Sequence, residues 1–318
     1  MKLTSTVTLL DVTLFFTDDE ITARLDAPTA VAAMRDAVRA AYEGRLIAPP
    51  RVSAPLEGGR LVMTAGHLVG EWYGFRSYDT FGRPETEQVV AVHDAHTGRV
   101  RALAVGEEIG SRRTGAIGGV AVDVLARPEA STLGIVGAGT QAWTQVWAIA
   151  AVRPLRSVVV HCRTASRRET FAARVRAELG VAAVAVDSAA AAVRERDIVV
   201  LATTSPTPVI SAGDLAPGTH VNTVGFKQQG RSEFGPDLLE RADVIVTDSP
   251  AQAAAYQPPM LAVGTRHLHR MRHLGAVLVG AAPGRGTSHD ITLFCSVGLA
   301  GTEAFLLDRL AQSAAVPR

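Results

Sequence analysis

The chain of 318 residues has little cysteine, few aromatic residues and no excess of either charge. It holds two cysteines, 5% aromatic residues and a formal net charge of +1. Cys162 and Cys295 stand far apart and match no metal-ligand or redox spacing. No metal site is therefore expected, and each thiol reads as a small apolar residue suited to a reducing cytoplasm. The balanced charge gives no electrostatic reason to expect nucleic acid or an anionic membrane as partner. There is no uncharged apolar run of about eighteen residues, so no membrane span is expected. Thr4, Ser5, Thr6, Thr8 and Asp11 break up the N-terminus where a secretion signal would need an apolar stretch. What the chain has instead is 47% hydrophobic and 20% charged residues. That composition supports a sizeable core, and the length suits two domains.

The most informative segment is Ser131 to Ala142, STLGIVGAGTQA. Leu133 to Val136 read as a buried strand that runs into Gly137, Ala138, Gly139, Thr140, Gln141 and Ala142. A helix-prone stretch continues to Ala151. Strand, G-x-G-x-x-A turn and helix in this order form the phosphate-cradling start of a dinucleotide-binding unit. Gly137 permits the tight turn, Gly139 lets the backbone approach a pyrophosphate, and the helix N-terminus offers free N–H groups. A second strand follows at Ser157 to His161. After it come Arg163, Thr164, Arg167 and Arg168, with no Asp or Glu between Ser157 and Arg168. An acidic residue here would accept from the ribose 2′-OH of NAD, whereas an arginine accommodates the 2′-phosphate of NADP. NADP(H) is therefore expected in preference to NAD(H), which stays possible.

The flanking regions read differently. Apolar residues recur at helical spacing from Pro28 to Glu43. Strand-like pieces follow at Arg51–Leu56, Arg60–Thr64 and Trp72–Tyr78. Val89–His93 and Val100–Val105 flank a hairpin signal at Asp94 to Gly98. A helix over about Arg113 to Ala126 carries Gly115, Gly118 and Gly119, which suit close approach of another backbone. Further buried strands are expected at Val181–Val186, Asp197–Ala202, His220–Val224 and Val244–Thr247. Asp290 to Leu310 reads as a final helix with Asp290 as its cap. Trp143 and Trp147 read as packing residues.

Several collinear segments resemble the ornithine cyclodeaminase/mu-crystallin family. They are Pro49-Pro-Arg51-Val, Arg113-Thr-Gly-Ala116, Gly137-Ala-Gly-Thr-Gln141, Pro217 to Gly225, and the tail from Asp290 to Ala300. The resemblance implies an α/β fold and a homodimer. A Rossmann dinucleotide-binding domain (126–295) would be inserted between an N-terminal α+β substrate and dimerisation domain (1–125) and a C-terminal helix (296–318), with the active site in the cleft between domains. It also implies nicotinamide chemistry on an imine or amine beside a carboxylate. By resemblance Arg51 holds the substrate carboxylate, as a bidentate guanidinium can. Arg113 and Thr114 contact the cofactor, as do Gly137, Gly139, Thr140, Gln141, Val224 and Gly225, while Arg163, Thr164 and Arg167 read its adenosine end.

The chain departs from the family pattern at two places. Arg76 stands where the family has a lysine; it can bind carboxylate or polarise an imine but is a poor general base. Phe226-Lys227 follows Gly225, where cyclodeaminases carry an aspartate that handles the reacting amine. Arg76 and Lys227 are thus the expected catalytic positions, with Glu57, Glu71, Asp79, His67 and His93 as further proton-relay candidates. A surface loop is the ordinary setting for Lys227. The expected activity is NAD(P)H-dependent reduction of a cyclic ketimine or α-imino acid to an amino acid. The alternatives are a cyclodeaminase-type lyase and a non-catalytic NADPH-binding protein.

Overall fold

The computed structural model describes residues 13–83 and 86–315. The stretch read above for a secretion signal lies outside them. In chain order the elements begin with strand β1 (Leu14–Phe16) and helices α1 (Asp18–Arg24) and α2 (Ala27–Tyr42). Strands β2 (Leu46–Ile47), β3 (Val52–Leu56), β4 (Gly59–Leu68), β5 (Trp72–Asp79), β6 (Val89–Asp94) and β7 (Val100–Val105) follow, then helix α3 (Glu108–Leu125). The chain divides into two compact units. One holds the described residues of Met1–Asp26, with Glu43–Gly110 and those of Ala300–Arg318; the other holds Ala27–Tyr42 and Ser111–Leu299.

In the first unit, β1 to β7 form one sheet in the order β1-β7-β6-β5-β4-β2, with β3 also paired to β4. Period-two alternation sorts its side chains. Val62, Thr64, Leu68, Trp72 and Arg76 are buried on one face. The C-terminal helix α11 (Thr302–Ala315) lies against that face. Trp72 meets Phe305 edge-on at 6.0 Å. A Cβ on Gly66 would stand 2.4 Å from the Gly301 Cα, so only glycine admits this approach of loop to sheet. The other face carries Phe15 (53% exposed), Val52 (66%), Met63 (40%) and Tyr73 (42%). The β6–β7 hairpin forms as its sequence predicts: Asp94 accepts from the N–H groups of His96 and Thr97 at 2.9 and 2.7 Å.

The second unit is built on β8 (Thr132–Val136), α4 (Thr140–Ala150), β9 (Ser157–His161), α5 (Ala165–Leu179), β10 (Ala182–Ala185), α6 (Ala189–Val193), β11 (Ile198–Leu201) and β12 (His220–Thr223). It continues through the short pair β13 (Lys227–Gln228) and β14 (Arg231–Ser232), then α7 (Pro236–Arg241), β15 (Val244–Thr247), α8 (Pro250–Ala255), α9 (Arg266–Arg270), β16 (Met271–His273), α10 (Leu274–Leu278) and β17 (Thr292–Cys295). Eight strands make a parallel sheet in the order β10-β9-β8-β11-β12-β17-β15-β16. β8, β11, β15 and β17 are near-continuous apolar or β-branched runs, as burial on both faces requires, while β12 buries His220 and Asn222 as well. Trp143 packs on Phe171 in this core, at 6.3 Å.

Two expectations change. Asp290 to Leu310 is not one helix: Thr292–Cys295 is a fully buried strand inside the sheet, and helix begins only at Thr302. Asp290 does not cap that helix. It holds a turn instead, accepting from the N–H groups of Gly286 and Thr287 at 2.7 and 3.1 Å. A short apolar run satisfies strand and buried helix alike, and here the β-branched and aromatic content decides for strand. Secondly, α2 and the part of α3 from Ser111 group with the second unit, outside the expected span 126–295. Small residues explain this. A Cβ on Gly115 would stand 2.2 Å from the Thr144 carbonyl, and one on Gly119 would meet Val31 at 3.1 Å and Ala148 at 3.2 Å, so α2, α3 and α4 pack almost backbone to backbone.

Candidate active site

The turn after β8 opens a cleft of about 490 Å³ at the carboxyl ends of the strands. Gly137 has φ +121°, and a Cβ on it would stand 2.2 Å from the Ala202 carbonyl. Gly139 is the N-cap of α4 and supplies no side-chain cap, while a Cβ there would meet nothing within 4 Å. The N-cap therefore offers no side-chain acceptor to the first-turn N–H groups of α4, and open space lies beside it, as an anion site at a helix N-terminus requires. Arg163, Thr164 and Arg167 line the same cleft. Among the described residues neither Arg163 nor Arg167 has a side-chain partner, whereas Arg168 is paired with Asp187. These residues fit a dinucleotide. Thr203, Thr204 and Ser205, which follow β11, complete the wall. Sequence reading missed them, although their place after a predicted strand could have found them.

Arg113 and Thr114 do not line this cleft; they are buried on α3. A chain of buried polar groups fixes that helix. Gln145 on α4 donates to the Thr114 carbonyl at 3.1 Å. Asn222 on β12 donates to Gln145 Oε1 at 3.0 Å and to the Gly118 carbonyl at 3.1 Å. His220 bonds Asn222 Oδ1 and Thr292 Oγ1, both at 2.8 Å. Burial pushes the His220 imidazole down to about 3, so it works as a neutral hydrogen-bonding hinge.

Val224 and Gly225 follow β12. Lys227 is not in a solvated loop: it is 2% exposed. Its Nζ donates to the Val224 carbonyl at 3.3 Å and to the Gly225 carbonyl at 2.6 Å. Glu233, which the sequence reading did not single out, is wholly buried nearby. It accepts from the Gly225 N–H at 2.6 Å and from the Thr203 N–H and hydroxyl, both at 2.8 Å. Burial raises the Glu233 carboxyl, with the Lys227 charge acting against that rise. Buried Cys295 stands in the same field, its thiol pushed up to about 11 by burial.

The other expected residues belong to the first unit. Arg51 is half-buried and stands one residue outside the Val52–Met63 pair, at the register position of Thr64, whose own partner is Arg76. Arg76 is buried. It donates to Glu303 at 2.6 Å and to Gln88 Oε1 at 2.8 Å, and stacks on the Tyr78 ring at 4.0 Å. Glu303 and Gln88 were missed; Glu303 was hidden inside the misread C-terminal helix. Of the relay candidates, Glu57 and Glu71 are exposed, Asp79 accepts from the Phe81 N–H, and His93 stacks on Tyr73 on the opposite sheet face.

The strand order, the glycine turn and the cleft define a Rossmann-type dinucleotide-binding unit. The chain belongs to the ornithine cyclodeaminase/mu-crystallin family, whose model matches residues 12–310. It is 33% identical to a Delta(1)-pyrroline-2-carboxylate reductase of Bacillus cereus over 73% of each chain. It is 34% identical to an L-lysine cyclodeaminase of Streptomyces rapamycinicus over 75% of this chain and 68% of that one. The structure of the Thermococcus litoralis Delta(1)-pyrroline-2-carboxylate reductase with NADH and L-proline superposes with a TM-score of 0.87 at 28% identity, covering 95% of this chain and 97% of that one.

The buried imidazole carries a pH prediction. His220 is held neutral down to about 3 when folded but takes a proton near 6.5 when unfolded. Between these values the unfolded state binds more protons, so stability should fall as pH drops from 6.5 towards 3, by at most about 1.4 kcal/mol per pH unit from this group. Denaturant unfolding of the parent and of His220→Gln across that range checks it. The variant should have a shallower slope, and equal slopes would refute the assignment.

Proposed function

We propose that the protein is an oxidoreductase that uses NADP(H) in preference to NAD(H) to reduce a cyclic ketimine or α-imino acid to the amino acid. The observation that carries the reading is the Lys227 ammonium, buried on two carbonyls near where cyclodeaminases of the family keep an aspartate. A buried cation there does not serve to deprotonate an amine, whereas a reductase whose imine arrives protonated needs no base at that point. The pyrroline-2-carboxylate reductases among the relatives support the same direction. When bound, NADPH supplies the hydride that converts the protonated C=N carbon to the amine carbon. Gly137, Gly139, Thr140 and Gln141 would hold its pyrophosphate, and Arg163, Thr164 and Arg167 its 2′-phosphate. Arg113, Thr114, Val224 and Gly225 would fix the remainder.

Arg51 grips the substrate carboxylate in this reading. Arg76, immobilised by Glu303 and Gln88, orients the imine; its charge is balanced, so it acts as a fixed donor and not as a base. The exposed apolar face bearing Phe15, Val52, Met63 and Tyr73 is where a second copy would bind to form the homodimer.

Three measurements test these points. Arg163→Ala should weaken NADPH by about tenfold more than NADH, as loss of a charged hydrogen bond implies. Equal losses, or tighter NADH binding by the parent, would exclude the cofactor preference. Arg51→Ala should lower kcat/KM for an imine such as a cyclic α-imino acid by about thirtyfold or more, with NADPH affinity unchanged. Normal turnover would move the carboxylate site elsewhere. Light scattering at micromolar concentration should give the mass of two chains, and Val52→Glu with Met63→Lys should give one; a monomeric parent would rule out the dimer.

A further inference from the structure

Lys2 and Lys227 are the chain's two lysines, although Lys and Arg together number 32. Arginine is the default cation here, and Lys227 is an exception in a place with a physical reason. Successive carbonyls, those of Val224 and Gly225, converge on one buried point. A compact ammonium can take both, while a planar guanidinium with its rigid fork cannot occupy the same volume. The Gly225 peptide is thus gripped on both sides: its C=O by Lys227 and its N–H by Glu233. Glu233 also holds the Thr203 N–H and hydroxyl, so a single carboxylate ties the end of β11 to the end of β12. The space is closed to anything larger, since a Cβ on Gly225 would stand 2.2 Å from the Thr203 carbonyl and 2.4 Å from Glu233 Oε2.

The sheet order gives this clamp its function. β9 carries the adenosine-reading arginines, β8 the glycine turn, and β11 and β12 come next in the sheet. A dinucleotide laid along the carboxyl ends of these strands runs from β9 over β8 and puts its nicotinamide half at the ends of β11 and β12. We infer that Lys227 and Glu233 are positioning residues that set the seat of the nicotinamide half through the Gly225 peptide and Thr203, and that Lys227 takes no part in proton transfer. The inference rests on the cofactor part of the proposed function and not on the identity of the imine.

With two lysines in the chain, selective labelling isolates the group. Protein carrying ¹³Cε-lysine should give two side-chain signals, which Lys227→Met assigns. The Lys227 signal should shift when NADPH is added and stay put with 2′,5′-ADP, which fills only the adenosine half; NADH and 5′-AMP serve as the pair if the cofactor preference is the reverse. Lys227→Met should raise the Kd for NADPH by about tenfold and leave that for 2′,5′-ADP within about twofold. It should also lower kcat for imine reduction without removing a limb of the kcat/KM pH profile, because a misplaced ring and not a lost acid is the defect. Glu233→Gln, which keeps volume and one acceptor, is read the same way if Lys227→Met does not fold. Unchanged NADPH affinity, equal weakening of both ligands, a Lys227 signal indifferent to NADPH, or loss of a pH limb would each overturn the inference.

Discussion

The second unit depends on one constraint: its strands run the same way, so all their carboxyl ends meet on one edge of a sheet buried on both faces. Backbone N–H groups that emerge there have no ladder partner and little water, and must find an acceptor inside the protein or on a ligand. Two buried carboxylates supply acceptors. Glu233 serves the loops after β11 and β12, and Asp248 collects the N–H groups of Val297, Gly298 and Leu299 at 2.8, 2.9 and 2.8 Å after β17. At β8 no side chain does this, because Gly139 has none to offer. The cofactor cleft opens at the stretch of that edge where the helix N-cap offers no side-chain acceptor of its own.

This division of labour explains what could be read from the chain. Elements with strong periodicity or punctuation were legible: β7, β9 and β15 have the bounds their composition predicts, and the hairpin at Asp94 to Gly98 closes on its own side chains. The glycine turn was legible because its chemistry is local. β17 was not, since Ile291 to Cys295 carries no period that separates a buried strand from a buried helix. The grouping of α2 with α3 and α4 was equally hidden, because it rests on small residues far apart in sequence meeting in space.

The site divides along the same line. The arginines after β9 were singled out by their offset to the glycine turn, Arg51 by its flanking motif and Arg76 as a departure from a family lysine, and their roles belong to the proposed function. Glu233, Glu303 and Gln88 carry no local mark; each matters through a partner many residues away, as Glu303 does through Arg76 across 227 positions. Lys227 was placed correctly in the sequence but not in its surroundings, because burial of a lysine depends on carbonyls whose orientation only the fold supplies.

β17 is the last strand of the sheet in sequence, yet it stands inside it, paired with β12 on one side and β15 on the other. β15 and β16 reach the rest of the sheet only through it. During synthesis the strands from β8 to β12 can pair with their native neighbours as they emerge, but β15 and β16 lack the strand that joins them to the rest until residues 292–295 have left the ribosome. The sheet is therefore completed by insertion of a central stave at the end of translation, and a nascent chain stopped before it holds two open parallel edges in place of one continuous sheet.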